Sequence, residues 1–452
     1  MKFIISFFSE PAIIVGLMAL IGLIALKKPI SKIVTGTFKT IIGFVIFQIG
    51  STAIADSLGV LGTAFQSAFN MQGVVPTNEA IIALVQKNFG MEMALIMAFG
   101  FIVNLVIARF TSLKYVFLTG HHMLFMAGLL AAILTAIGFS GVELIIVGSL
   151  LLGATMVITP ALVQPYYRKV TGGDSVAMGH FNAVTYVIAA EVSKRFGNKE
   201  QSTEDIKVPE GISFFKDNVI STALVMLVLF IVTIQLADNT VAAKLATGGN
   251  ITVFSIMSAM KFTAGFVIVL QGVRMMLAEI IPAFKGISEK IVPNAIPALD
   301  CPVIFPFAPN AVIIGFLSSL AGAVAVFAIL PFTGLAIMLP GLIPAFFVGA
   351  AAGVLANAQG GLRGTIIGCF VNGAILNLLP AFLLPLLGNL GYANSTFGDS
   401  DFSFYGIIVG QAGKVFAKVG VYGLLVVILL VFVGLTIRSN SKNAKDSKKV
   451  NA

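Results

Sequence analysis

Thr119-Gly120-His121-His122-Met123-Leu124-Phe125-Met126-Ala127-Gly128-Leu129-Leu130-Ala131-Ala132-Ile133-Leu134 is the stretch that decides how this chain folds. Two imidazoles stand at the head of an uncharged, apolar run. A run of roughly 20 such residues crosses a bilayer as a helix. All three histidines of the chain fall in motifs of this kind, the third in Met178-Gly179-His180. A ring at membrane depth is costly unless it faces a cavity or a partner, so it marks a pathway. The bland alternative is a satisfied core histidine that caps a helix.

The rest of the chain agrees with a membrane setting. It has 452 residues, of which 58% are hydrophobic and only 10% charged, and its mean hydropathy is +1.02. A soluble domain carries about 25% charged residues. The expected fold is an all-α polytopic membrane protein with about eleven transmembrane helices. The candidate spans are 11–27, 40–58, 91–110, 122–140, 142–162, 217–237, 251–280, 311–332, 335–357, 364–388 and 404–437. The net charge of +9 is bunched in loops: Lys27, Lys28, Lys32 and Lys39; Arg109 and Lys114; Arg168 and Lys169; the stretch 194–216; Lys285 and Lys290; Arg363; and the tail. Positive charge gathers on cytoplasmic loops. This orients the N-terminus outside and the C-terminus in the cytoplasm, and makes nucleic acid a poor partner. The start of the chain is no cleavable signal, because Lys27-Lys28 follows the first apolar stretch without a small-residue cleavage site. Cys301 and Cys369 stand apart in apolar sequence and frame neither a disulfide nor a metal site.

Four pieces do not read as simple spans: 59–90, 112–122, 163–193 and 281–310. Each mixes Gly, Pro, Asn or charge with apolar residues. Irregular backbone at this depth is tolerated only under protein or beside water, so re-entrant or broken helices are expected there. The chain divides into a first half, 1–193, a charged cytoplasmic linker, 194–217, a second half, 218–403, a last helix, 404–437, and a basic tail, 438–452. The halves resemble each other. Gly43-Phe44-Val45-Ile46-Phe47-Gln48-Ile49-Gly50 reads onto Gly265-Phe266-Val267-Ile268-Val269-Leu270-Gln271-Gly272, with Lys39 and Lys261 at the same offset. Both runs head toward an acid, Asp56 or Glu279. A weaker match sets Thr119-Gly120-His121 against Ala308-Pro309-Asn310. Inverted repeats with helices broken at the midplane are a common transporter plan.

The polar candidates are few. Asp300, in the proline-punctuated run 297–309, is either a helix cap or an acceptor for hydroxyls. Asn78 and Glu79, after Pro76-Thr77, either start a helix favourably or aim a helix N-terminus at a ligand. With His121 and His180, and His122 as a weaker member, they offer the donors and acceptors that a carbohydrate needs. Phe125 and Phe181 can wall a sugar ring, although core packing is the default for both. No carboxylate lies at ligand spacing from either histidine motif, so no metal and no cofactor are expected.

Seven motifs then carry a resemblance along nearly the whole chain: Lys39-Thr40-Ile41-Ile42-Gly43-Phe44, Leu118-Thr119-Gly120-His121, Gly179-His180, Gln271-Gly272-Val273-Arg274-Met275, Ala298-Leu299-Asp300-Cys301, Phe307-Ala308-Pro309-Asn310-Ala311-Val312 and Pro340-Gly341-Leu342-Ile343-Pro344. The chain resembles the ascorbate-type membrane component, enzyme IIC, of the phosphoenolpyruvate-dependent sugar phosphotransferase system. The galactitol-type components are more distant kin. The resemblance implies a homodimer with eleven spans, a sugar-carrying core domain, a dimer-forming domain and elevator-like transport. It also implies phosphorylation by a partner IIB fed by IIA, HPr and enzyme I, in a bacterial cytoplasmic membrane. Cys301 is followed by Pro302-Val303-Ile304-Phe305-Pro306, not by a IIB-like phosphate loop, so phosphoryl chemistry is expected of partners. The family's site falls on His121, His180 and Asp300, with His122, Met123 and Leu124 beside the first histidine. The chain departs from the pattern at Asn78-Glu79, where the ascorbate binders have Thr-Tyr, and at Phe125 and Phe181, where they have Gln. Glu79 suits a neutral sugar or polyol better than the ascorbate anion. A different class, an ion-coupled secondary transporter using Asp56, Glu79, Glu92, Glu143 or Asp300, is the competing reading. A receptor that binds sugar without moving it is a third.

Overall fold

The computed structural model describes residues 10–69, 73–206, 218–387 and 395–450. Helices dominate. In chain order they are α1 (Pro11–Ala25), α2 (Ile30–Phe69), α3 (Asn78–Phe110), α4 (Gly120–Ile137), α5 (Gly141–Thr171), α6 (Ala183–Phe196), α7 (Asn218–Leu236), α8 (Asn239–Leu245), α9 (Ile251–Ile291), α10 (Pro309–Ile329), α11 (Leu342–Leu383) and α12 (Ser400–Val450).

Among the described residues, eight helices are long and apolar enough to cross a membrane. The difference from the expected eleven has three sources. The stretch 11–27 forms a helix of 15 residues. The stretch 217–237 forms α7, Asn218–Leu236, of which the fully described apolar part, Met226–Leu236, is shorter than a span. The stretches 335–357 and 364–388 join into one helix, α11, bent at Gly360 and Gly361. The helix α3 is bent at Phe89 and α12 at Ala417. Beyond its bend α12 exposes Val426, Val427, Leu429, Leu430, Val431 and Val433. An apolar surface of that kind is stable in lipid rather than water. The chain is a multi-pass membrane protein.

Six short strands were not foreseen. They are β1 (Gly73–Pro76), β2 (Tyr115–Phe117), β3 (Ala177–Met178), β4 (Ile296–Leu299), β5 (Ile337–Met338) and β6 (Ser395–Thr396). They form two three-stranded sheets, in the orders β5-β1-β6 and β2-β4-β3. Every pairing is parallel. Each sheet takes its central strand from one half of the chain and both edges from the other. The irregular pieces 59–90, 112–122, 163–193 and 281–310 each contain one of these strands. Pairing with distant strands is how their backbone is satisfied at membrane depth.

Two helical groups follow from the packing. The helices α1, α2, α7 and α9 pack chiefly on one another, while α3 to α6 and α10 to α12 form the body around the sheets. The sequence match between Gly43–Gly50 and Gly265–Gly272 lies at the crossing of α2 and α9. A Cβ on Gly265 would stand 3.0 Å from the Gly50 carbonyl oxygen, a tight contact that glycine avoids. Lys39 of α2 pairs with Glu279 of α9 at 3.3 Å.

Candidate functional site

In each sheet the chain leaves the strands at the same end, and the residues just past the strand ends form the site. After β2 comes Leu118-Thr119-Gly120-His121-His122, where α4 begins. After β4 comes Asp300, and after β3 come Gly179 and His180. The parallel register therefore sets both histidine motifs beside Asp300, although they lie about 120 and 180 residues away from it in sequence. Gly179 is what allows the last approach. Its N–H donates to the Leu299 carbonyl at 2.6 Å, and a Cβ there would strike the Ala298 carbonyl oxygen.

The second sheet delivers its own residues to the same place. Asn78 follows β1, and Asp399, Ser400 and Asp401 follow β6. The Gly398 N–H donates to Asn78 Oδ1 at 2.9 Å, which fixes the amide so that Asn78 Nδ2 donates to Asp399 Oδ2 at 2.9 Å. The last span was expected from residue 404. The helix starts at Ser400, and the residues just before and inside its first turn are buried site residues.

Three rings and two carboxylates make up the cluster. His121 Nε2 lies 3.7 Å from Asp300 Oδ2, His180 Nε2 lies 3.8 Å from Asp300 Oδ1, and His122 Nε2 lies 3.8 Å from Asp399 Oδ2. These separations exceed a direct hydrogen bond. The His122 and His180 ring centroids are 4.0 Å apart. Asp300 also caps the following turn, accepting from the Cys301 N–H at 2.7 Å. That contact is the cap reading of Asp300.

Hydrogen bonds behind two rings determine where their protons sit. The Ser400 N–H donates to Asn182 Oδ1 at 2.7 Å, so Asn182 Nδ2 faces His180 Nδ1, at 3.0 Å, as a donor. The Tyr186 hydroxyl lies 3.1 Å from the same nitrogen. The Phe181 N–H donates to His122 Nδ1 at 3.3 Å. Both Nδ1 atoms accept, so both rings are neutral and carry their proton on Nε2, facing the carboxylates.

That arrangement bears on metal chemistry. Donor atoms of His121, His122 and Asp300, of His122, His180 and Asp399, and of His180, Asp300 and Cys301 each lie within 4.8 Å of one another. The carboxylates missing near the histidines in sequence are brought there by folding. A metal-ligating histidine, however, donates its other N–H to an acceptor. Here Nδ1 of His122 and of His180 receives a donor, and every one of those three groups contains one of these two rings. The cluster is set up to donate hydrogen bonds to oxygen.

The remaining candidates sit around it. Phe125 and Phe181 are buried, and Phe181 stacks on Phe117 with centroids 4.7 Å apart. Both rings lie close to His122, as does Phe402. Met123 and Leu124 are buried in the apolar core. The Glu79 side chain lies outside what the structure describes. Asp401 accepts from the Ala183 and Val184 N–H groups at 2.8 and 3.0 Å and so caps α6. Sequence reading missed Asn182, Tyr186, Asp399 and Asp401. The signal available was Asp399-Ser400-Asp401 directly ahead of a long apolar run, a helix-start pattern.

A multi-pass helical protein that closes histidines and carboxylates around a point inside its apolar body is built as a permease. Comparison with known proteins gives the family: residues 6–401 match the family model EIIC-GAT, described as the PTS system sugar-specific permease component. The chain belongs to that family, whose members cooperate with IIA and IIB components of the phosphotransferase system. It is also similar to the "Ascorbate-specific PTS system EIIC component" of Mycoplasma pneumoniae (strain ATCC 29342 / M129 / Subtype 1). The two are 27% identical over 452 residues, covering 88% of this chain and 68% of the relative.

Proposed function

We propose that this chain is the sugar-carrying IIC subunit of a phosphotransferase system, binding L-ascorbate or a related sugar or polyol at His121, His180 and Asp300. His122, Asn78 and Asp399 complete the polar lining, Phe125 and Phe181 pack beside His122, and Glu79, Met123 and Leu124 are the further candidates read from the sequence. The observation that carries this reading is the convergence of both histidine motifs and Asp300 at the ends of three parallel strands. Each sugar hydroxyl needs a donor and an acceptor. An Nε2–H beside a carboxylate supplies both.

Transport is read as elevator-like. The body around the sheets carries the sugar, and the group of α1, α2, α7 and α9 is the dimer-forming part of a homodimer. The partner IIB then phosphorylates the sugar at the cytoplasmic face, supplied through IIA, HPr and enzyme I. The chain lies in the bacterial cytoplasmic membrane with its N-terminus outside and its C-terminus inside. An inverted repeat underlies the fold. The strands β1, β2 and β3 correspond in order to β4, β5 and β6, as the Gly43–Gly50 match requires. On that correspondence the counterpart of 119–121 is 341–343, not 308–310.

The test is uptake of radiolabelled sugar by cells with and without enzyme I. Loss of uptake and trapping in the deficient strain supports the phosphotransferase reading. Unchanged uptake supports the ion-coupled alternative. His180→Ala and Asp300→Asn abolish uptake if the site is correct, with the protein still folded by size-exclusion chromatography.

A further inference from the structure

We propose that the end of the molecule where α1 turns into α2 and α9 finishes binds the headgroup of an anionic phospholipid, whose acyl chains lie along the exposed apolar side of α2. Lys27 takes a left-handed backbone, φ 54°, and the Lys27 and Lys28 N–H groups donate to the Ile24 and Leu23 carbonyls at 2.8 and 3.1 Å. These bonds close α1 and leave Lys27, Lys28 and Lys32 exposed. Lys290, in the last turn of α9, reaches the same turn, where its Nζ donates to the Ala25 carbonyl at 3.1 Å. The orienting role of basic loops accounts for lysines in one loop. It does not account for another brought onto that loop from 265 residues away.

The segments that meet here do not neutralise one another. Residues 26–39 hold Lys27, Lys28, Lys32 and Lys39 and no acid, and residues 279–291 hold Lys285, Lys290, Glu279 and Glu289. Six lysines against two glutamates leave four positive charges. That count holds wherever the Lys285 and Glu289 side chains, which are outside the described residues, are placed. Glu279 is already engaged by Lys39 at 3.3 Å. Among the described residues, no acidic side chain pairs with Lys27, Lys28, Lys32 or Lys290. The segment leading into α7, 207–217, brings two lysines and two acids and leaves the excess as it is. The helix α3, which also touches α1, carries Arg109 and no acid in its last turn. A second copy of the chain, meeting this end across a two-fold axis, would present the same lysines.

A phospholipid fits this end better than a free anion, because the lysines stand at the edge of an apolar surface. Ile30, Val34, Phe38 and Ile42 follow one another at every fourth residue, along one side of α2, and are 80, 51, 60 and 49% exposed. Ile21 and Ile24 of α1, just before the turn, are exposed as well. A continuous apolar surface of this kind calls for a hydrocarbon neighbour. The membrane surface therefore falls at the lysines, at the level of the lipid phosphates. Lysines grouped there attract anionic headgroups, and the apolar side of α2 receives the chains attached to them.

The experiment is native mass spectrometry of the purified full chain, taken from mixed micelles that offer equal amounts of dioleoyl phosphatidylglycerol and dioleoyl phosphatidylcholine. Retained phosphatidylglycerol should exceed phosphatidylcholine about tenfold or more. Lys28→Gln combined with Lys32→Gln should reduce that excess about tenfold. Lys194→Gln combined with Lys199→Gln, in a separate basic segment, should leave it unchanged. Inorganic phosphate at the lipid's concentration should release none of the bound lipid. Equal retention of the two lipids by the wild-type chain, a comparison that needs no variant to fold, overturns the proposal. An excess that survives Lys28→Gln with Lys32→Gln, or falls as far with Lys194→Gln and Lys199→Gln, also overturns it, because the lipid is then held elsewhere. Release by phosphate overturns it in favour of a site for free anions.

Discussion

The two small sheets are built alike and do different work. Both are parallel, and both take a central strand from the opposite half of the chain. The β2-β4-β3 sheet ends in His121, Asp300 and His180, groups that face one another across 3.7–3.8 Å. The β5-β1-β6 sheet ends in Asn78, Asp399 and Asp401, whose partners are mostly protein: an amide against a carboxylate, and a carboxylate on a helix end. One sheet presents and the other holds. The same small scaffold is present twice, and the chemistry is divided unequally across it.

The largest effect expected from breaking this division comes from the presenting sheet. Asp300→Asn or His180→Ala removes a hydrogen bond involving a charged group, worth about 1.5–3 kcal/mol. Sugar affinity should fall about 10- to 100-fold by calorimetry, with an unchanged circular dichroism spectrum. Gly179→Ala attacks the register rather than the chemistry. The added methyl meets the Ala298 carbonyl oxygen and should cost about 1–3 kcal/mol of stability as overpacking does. A thermal shift in detergent would read this, together with loss of binding.

Asn182→Asp tests the link between the sheets. It replaces the donor at His180 Nδ1 with an acceptor, so the proton moves to Nδ1 and Nε2 no longer donates toward Asp300. Binding should weaken about tenfold or more. A variant that binds normally would mean that the tautomer is irrelevant. The smallest effect belongs outside both sheets. Lys39→Ala breaks a half-exposed pair with Glu279 and should cost about 1 kcal/mol or less. Sugar affinity should not change.

Much of the presenting sheet was legible from residues. His121, His180 and Asp300 stand out because polar groups in apolar sequence are rare and need a reason. The Gly43–Gly50 and Gly265–Gly272 match, read in sequence as a repeat, did not foretell that the two segments cross at α2 and α9. The holding sheet was not legible. Strands of two to four residues are too short to show an alternating pattern, so nothing signalled parallel pairing. Asn182 and Ser400 are 218 residues apart, and Asn78 and Asp399 are 321 apart. Asp399 and Asp401 read as a loop before a span, yet they lie inside the body. The bend that joins 335–357 to 364–388 was likewise unreadable, since two glycines in sequence mark a loop as readily as a kink.

Whether sugar binds at the Nε2–H groups of His122 and His180 can be read by histidine-selective ¹⁵N NMR of the chain in nanodiscs as sugar is added. His122 and His180 are expected to be neutral and protonated at Nε2 before sugar is added. Both Nε2–H signals are expected to move as it binds, saturating at the concentration where calorimetry shows the site full. Saturating sugar that leaves both signals in place would contradict binding there.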